Sequence, residues 1–243
     1  MNTPPLTRAV GESTSGQRSM LSRATAGWEE LQHAGSTHVR PARTILFHQG
    51  MPVWNVYLIE RGLVKLERSE EEGRPVIVGL RRPGWLLGAA AVLLERPHAT
   101  TATTLTTCHC HLIPAEAFRH LVETRPPVSW LIHHIHSREI YEHLVRVTEL
   151  AGMTARRRLE QFLWDVLVNH SPGASGSPPR LQLPIPQWEL ARYLGVTPQY
   201  VTRLLGQLED EGLLLRRKGW LIIADPHRLW HRSDPWEIDD LSE

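Results

Sequence analysis

With only two cysteines in 243 residues, Cys108 and Cys110, the chain cannot carry a disulfide framework, and so sparse a thiol content suits a reducing compartment. No apolar run approaches the roughly 18 residues of a membrane span, so no membrane-spanning helix is expected. A single-signed charge is missing as well. Lys and Arg number 27 against 26 Asp and Glu, giving a net charge of +1, so any affinity for nucleic acid must come from local patches. The opening Met1-Asn-Thr-Pro-Pro-Leu6 has no charged head before an apolar run, and a secretory leader is not expected. These absences leave a cytoplasmic protein without membrane association, long enough for two domains.

What is present is most informative from Pro186 to Gly212. Two short apolar faces, Leu190, Ala191 and Leu194, then Val201, Leu204, Leu205 and Leu208, predict two helices around Gly195. Gly195 can take the positive φ of a sharp helix-to-helix turn. Thr197 is a good N-cap, and Pro198 at the first helical position gives up only an amide that would be unpaired anyway. Opposite the apolar face, Gln199, Thr202 and Arg203 fall at i, i+3 and i+4 and share one exposed side, where a recognition helix meets base edges. Arg203 suits the O6 and N7 of guanine, Gln199 the N6 and N7 of adenine, and Thr202 a thymine methyl or a hydroxyl hydrogen bond. Leu213 to Ile223 reads as two strands joined at Arg217-Lys218-Gly219, a basic hairpin. Thr197, Arg217 and Lys218, with Arg216, are candidate phosphate contacts, which position without specifying sequence. Two helices, a tight turn and a basic hairpin predict a winged helix-turn-helix that binds double-stranded DNA; an ordinary helical hairpin shares only the apolar pattern.

Elsewhere the texture changes in order. Residues 1 to about 25, rich in Ser, Thr, Gly and Pro, are expected to be disordered, with a short amphipathic helix around Trp28 to His33. Short runs at 44–47, 56–59, 63–66, 76–80 and 103–113, punctuated by Gly50, Gly62, Gly73 and Gly84, predict an all-β sandwich or jelly roll uninterrupted by helix. Residues 128–151 switch to helical period, with His133, His136, Ile140, His143, Val147 and Leu150 in one heptad register. That register predicts a seam with the same helix of a second subunit, while Leu131, Ile132, Ile135 and Leu144 pack on the chain's own β domain. A further helix follows from Thr154, with Leu159, Phe162, Leu163, Val166 and Leu167 as its buried stripe. Ser171 to Pro179 reads as a loop, and Leu181-Gln-Leu183 leads into the DNA-reading pair. The tail after Asp225 carries Trp230, Trp236 and a late acidic run.

Two histidine patterns admit more than one reading. The seam histidines fit a switch driven by protons, a metal or a haem, or else neutral packing, and the pattern favours the second. Cys108-His-Cys-His111 looks like a metal motif, but a strand sends the cysteines to one face and His109 and His111 to the other, so the four cannot converge on one ion. The rival function is a cupin-like metal-binding β-roll with histidine ligands; the cupin glycine spacing and downstream carboxylate are missing around His109 and His111.

The order of parts resembles the cyclic-AMP receptor/fumarate-nitrate regulator (CRP/FNR) superfamily of transcription factors from about Val39 to Ala224. The resemblance rests on Arg40 to Gly50, Val56 to Gly62, Gly84-Trp-Leu-Leu-Gly88, Arg156-Arg-Arg-Leu159 and the stretch 187–214. It implies an α+β chain with an N-terminal β-roll (jelly roll) sensor, a long dimerisation helix and a C-terminal winged helix-turn-helix, acting as a homodimer on a palindromic operator. The implied division is a disordered tail at 1–25, a cyclic-nucleotide-binding-like roll at 26–127, a dimerisation helix at 128–152, a DNA-binding domain at 153–226 and a tail at 227–243. RNA polymerase is an implied partner if the protein activates transcription. The chain departs from the family where the nucleotide binds. The family's Gly-Glu and Arg-Ser pairs are matched by Gly88-Ala89 and His98-Ala99, and the Thr-Ser pair on the dimer helix by His143-Leu144. A phosphate bound without arginine loses its bidentate charged donor, so response to cyclic AMP is not expected and the effector is unnamed. An iron–sulfur cluster needs four ligands where only two cysteines exist. No cofactor and no enzymatic activity are expected.

Overall fold

The computed structural model describes residues 15–70, 75–170, 180–181, 185–217 and 220–224. The 171–179 loop, residues 182–184, Lys218, Gly219 and the tail from 225 onward, each read from sequence above, lie outside the described residues. The chain divides into two compact units, Met1–Pro75 with Gly79–Glu142, and Val76–Val78 with His143–Glu243.

In the first unit α1 (Ser15–Ala34) precedes β1 (Ser36–Arg40), β2 (Ile45–Phe47), β3 (Asn55–Arg61), β4 (Val64–Arg68), β5 (Val76–Arg81) and β6 (Leu86–Leu87). Then come α2 (Ala89–Leu93), β7 (Thr101–Thr104), β8 (Cys108–Pro114), α3 (Ala115–Thr124) and the start of α4 (Pro126–Gly152). The strands form two four-stranded sheets, ordered β1-β8-β3-β6 and β2-β7-β4-β5, which make the expected jelly roll. All of Val56, Tyr57, Leu58 and Ile59 in β3 are buried, because the roll encloses one face of their sheet and α1 and α3 pack against the other.

Four sequence expectations change here. Helix α1 begins at Ser15, inside the stretch expected to be disordered. No proline occurs between Pro5 and Pro41, and Ser and Thr lower helix propensity without forbidding it. The single run 103–113 is two strands in different sheets, β7 on β4 and β8 on β3, with the chain crossing between them at 105–107. Gly62 (φ 99°) makes that crossing possible, since a Cβ there would lie 2.6 Å from the Cys108 sulfur and from the Thr107 carbonyl. Helix α2 interrupts the strands, and α3 follows them, where no helix was expected.

Helix α4 buries Val128, Leu131, Ile132 and Ile135. An ion pair from Arg81 to Glu139 at 2.6 Å and stacking of Arg81 and Arg138 on Trp85, at 4.4 and 4.3 Å, hold the helix to the β5–β6 turn. Leu144, expected on this inward face, is instead 64% exposed beside Ile140 and Val147. Positions 140, 144 and 147 fall on one helical face, and all three side chains are exposed.

The second unit holds α5 (Ala155–His170), β9 (Arg180–Leu181), α6 (Gln187–Leu194), α7 (Pro198–Asp210), β10 (Leu214–Arg217) and β11 (Trp220–Ile223). Its core joins Leu159, Phe162, Leu163 and Val166 of α5 to the inner faces of α6 and α7 and to Leu214, Leu221 and Ile223 of a β10-β11-β9 sheet. The third strand, β9, extends the hairpin read from sequence.

Candidate nucleic-acid interface and effector region

The turn between α6 and α7 closes through two backbone bonds, Gly195 N to the Arg192 carbonyl (3.3 Å) and Val196 N to the Ala191 carbonyl (2.9 Å). This Schellman arrangement needs the left-handed conformation of Gly195 (φ 70°). Thr197 then caps α7, its Oγ1 accepting the Tyr200 amide at 3.3 Å, with Pro198 in the first helical position. Because that oxygen acts as acceptor, the Thr197 hydroxyl proton remains able to donate to a phosphate.

Burial of Val201, Leu204, Leu205 and Leu208 fixes the rotation of α7 and leaves Gln199, Thr202 and Arg203 exposed together. The Arg203 guanidinium lies over the Tyr200 ring, 4.4 Å from its centroid. Thr202 Oγ1 sits 3.3 Å from Gln187 Oε1 and 3.2 Å from the Pro198 carbonyl, so its single proton is engaged within the protein. In the hairpin the arginines divide. Both Arg216 and Arg217 are exposed, and Arg216 donates from its amide (3.0 Å) and its Nε (2.8 Å) to the Glu209 carboxylate, tying β10 to the end of α7. Those bonds, the amide first, hold the Glu209 carboxyl below its usual range. Arg216 is thus tied to the end of α7 through its amide and Nε, a role that sequence distance from Glu209 concealed. Arg156, Arg157 and Arg158 also part company. Arg156 pairs with Glu160 (2.9 Å) and with both oxygens of Glu211, Arg157 is exposed, and Arg158 faces the carbonyl end of α6.

In the roll, Gly88 (φ 86°) starts α2 and Ala89 is buried behind it. His98 is 5% exposed and stacks face to face on Phe47, with centroids 3.7 Å apart and planes 7° from parallel. Its backbone is paired on both sides, to Met51 at 3.0 Å and Gly50 at 2.8 Å, and a Cβ on Gly88 would lie 3.1 Å from the imidazole. Burial pushes the His98 pKa down to about 4, which leaves the ring neutral at physiological pH. Ala99 is exposed and offers its carbonyl to Arg68 (3.3 Å). The four positions thus bring together a glycine, two methyl groups and an uncharged imidazole.

On α4, His133, Ile140, His143, Val147 and Leu150 of the seam are exposed, and Leu144 joins them. His136 is half-buried, and its pKa is lowered chiefly by that burial, with Glu139 opposing and His133 adding to the shift. Cys108 and Cys110 alternate with His109 and His111 as a strand requires; the cysteines are buried, and burial drives the Cys108 thiol up to about 11. His111 is engaged by Thr37 (3.4 Å), Gln32 (3.5 Å) and Glu60 (3.6 Å). Among the described residues no three His, Cys, Asp or Glu side chains meet as metal ligands would, and no helix is long and apolar enough to cross a membrane.

Residues 38–125 match the cyclic nucleotide-binding domain family, and residues 157–232 match the Crp-like helix-turn-helix domain. An anaerobic regulatory protein of Pasteurella multocida is 29% identical over 182 residues, 74% of this chain and 66% of that one. The cAMP-activated global transcriptional regulator CRP of Haemophilus influenzae is 25% identical over 178 residues, 73% and 79% of the respective chains. Among solved structures, the c-di-GMP-responsive global regulator CLP of Xanthomonas campestris superposes with a TM-score of 0.70 at 21% identity, over 83% of this chain and 99% of its own. FixK2 of Bradyrhizobium japonicum gives 0.69 at 20% identity, over 80% and 95%.

Proposed function

The chain belongs to the CRP/FNR family of transcription regulators, and from that premise we propose that it binds a palindromic operator as a homodimer and does not respond to cyclic AMP. The observation that carries the DNA reading is the capped helix α7, which presents Gln199, Thr202 and Arg203 on one exposed face. Arg203 pairs with guanine O6 and N7, Gln199 with adenine N6 and N7, and Thr202 sets its methyl against thymine. Thr197, Arg217 and Lys218 hold phosphates. Two such helices related by a two-fold read half-sites about 34 Å apart. Dimerisation uses the exposed face of α4, with Ile140, Leu144, Val147 and Leu150 beside His143.

Silence toward cyclic AMP follows from Ala89, His98 and Ala99. None supplies the cation that a buried cyclic phosphate needs, and His98 resists acquiring a charge. The protein acts as a regulator and not as an enzyme, with RNA polymerase as partner where it activates. The metal-binding alternative gains nothing from His111, whose ring nitrogens already face Thr37, Gln32 and Glu60.

Selection from a random DNA pool tests this reading. The wild type is expected to return a palindrome, and Gln199→Glu to shift one symmetric pair of positions toward cytosine, since a carboxylate only accepts. An unchanged motif removes Gln199 from the interface and with it the proposed docking. Micromolar binding of cyclic AMP by calorimetry would sink the second half of the proposal.

A further inference from the structure

Helix α6 ends on carbonyls that two arginines from other helices satisfy. Arg158 of α5 donates through Nε and Nη2 to the Leu194 carbonyl at 3.1 and 2.8 Å. Its Nη1 reaches the Met153 and Glu149 carbonyls at 2.6 and 3.4 Å. Arg146 of α4 donates to the Tyr193 carbonyl, lays its guanidinium 4.2 Å from the Tyr193 ring centroid and pairs with Glu149 at 3.3 Å. The last carbonyls of a helix have no partners within it and form its negative end, so cations are favoured there. A guanidinium can serve several acceptors at once from its rigid fork, which a lysine cannot. Leu150 adds an apolar contact, its methyl 3.7 Å from where a Gly195 Cβ would stand.

These contacts converge at the break between α4 and α5. Helix α4 stops at Gly152 and α5 starts at Ala155, leaving Met153 and Thr154 between them. Arg158 spans that break, holding the last turn of α4, the break itself and the end of α6 with one side chain. Arg146 repeats the tie from the α4 side. Both arginines lie within the second unit, and neither belongs to the exposed face of Gln199, Thr202 and Arg203.

We propose that Arg146 and Arg158 are positioning residues that fuse the helix-turn-helix to the last turn of α4 and so set which spacing between half-sites the dimer accepts. This rests on the dimeric, palindromic reading above. Adding one base pair between half-sites displaces one of them by about 3.4 Å and turns it by about 35°. Reading helices fixed rigidly to paired α4 helices cannot follow that movement. Heads that pivot at Met153–Thr154 can follow it, with their base contacts intact.

The test uses the full-length protein and duplexes carrying its selected half-sites with spacers shortened or lengthened by one and two base pairs, plus a duplex with a single half-site. Wild type is expected to lose roughly tenfold in affinity per misplaced base pair, comparable to a base mismatch. Arg146→Met with Arg158→Met should compress the spread to within about threefold, a tolerance equivalent to under one mismatch, with single half-site affinity and base preference retained. Should the double variant melt early, Arg158→Lys goes through the same panel; it keeps the charge without the fork, and a narrowed spread is expected. Variants that keep the wild-type spacer preference overturn the proposal. Equal loss of spacer and base preference also overturns it, because the arginines would then only maintain the fold. A wild type indifferent to spacing, or bound to DNA as a monomer by native mass spectrometry, overturns the dimeric reading and this proposal with it.

Discussion

Acid should destabilise the β-roll through His98, and the size of the effect follows from its burial. The unfolded imidazole titrates near 6.5, whereas the folded one, 5% exposed against Phe47, titrates at about 4. The unfolded chain therefore binds the proton more readily. The neutral-ring contribution is complete above pH 6.5 and is lost as pH falls toward 4. Linkage over that interval gives a loss of about 2 kcal/mol at pH 5 and about 3 kcal/mol in the acid limit. Proton NMR of the imidazole gives the pKa directly. Denaturant unfolding of wild type and His98→Leu at pH 5 and 7 gives the energetic counterpart, since the other titrating groups are common to both proteins. Wild type should lose about 2 kcal/mol more than the variant between those two pH values. An imidazole titrating near 6.5, or identical losses in the two proteins, would refute the buried stack and the neutral ring inferred from it.

Other perturbations separate the remaining roles. Leu144→Glu, on the exposed face with Ile140 and Val147, should convert the dimer to monomer in sedimentation by placing like charges in the α4 seam; an unchanged sedimentation coefficient would move the interface elsewhere. Arg217→Ala should weaken binding to all sequences alike and lower the salt slope by about one unit, while a changed base preference would contradict a phosphate role. Thr197→Ala removes the cap on the Tyr200 amide and should cost about 1 kcal/mol of stability in thermal melts. Thr197→Ser keeps the capping oxygen and should recover most of it.

Local chemistry made the DNA-reading half legible. Gly195, Thr197 and Pro198 declare their conformations within a few residues, and the 3.6-residue period assigns Leu204 inward and Arg203 outward without reference to any other element. The alternation of Cys108 and Cys110 with His109 and His111 was readable for the same reason. Contacts between residues far apart in sequence were not. Nothing near residue 103 states that β7 and β8 enter different sheets, because partner choice depends on strands some forty residues earlier. Leu144 looks inward by period alone, yet its side chain is exposed beside Ile140 and Val147. Arg216 and Arg217 are adjacent, exposed cations of the same kind, and the position of the Glu209 carboxylate engages the first of them. His98 stacked on Phe47, and Arg158 holding the end of α6, belong to the same class. Sequence alone determined the turns, caps and amphipathic faces, which are short-range properties of the backbone. Tertiary structure decided which of the polar and charged groups remained available, because burial and pairing depend on what the rest of the chain brings alongside.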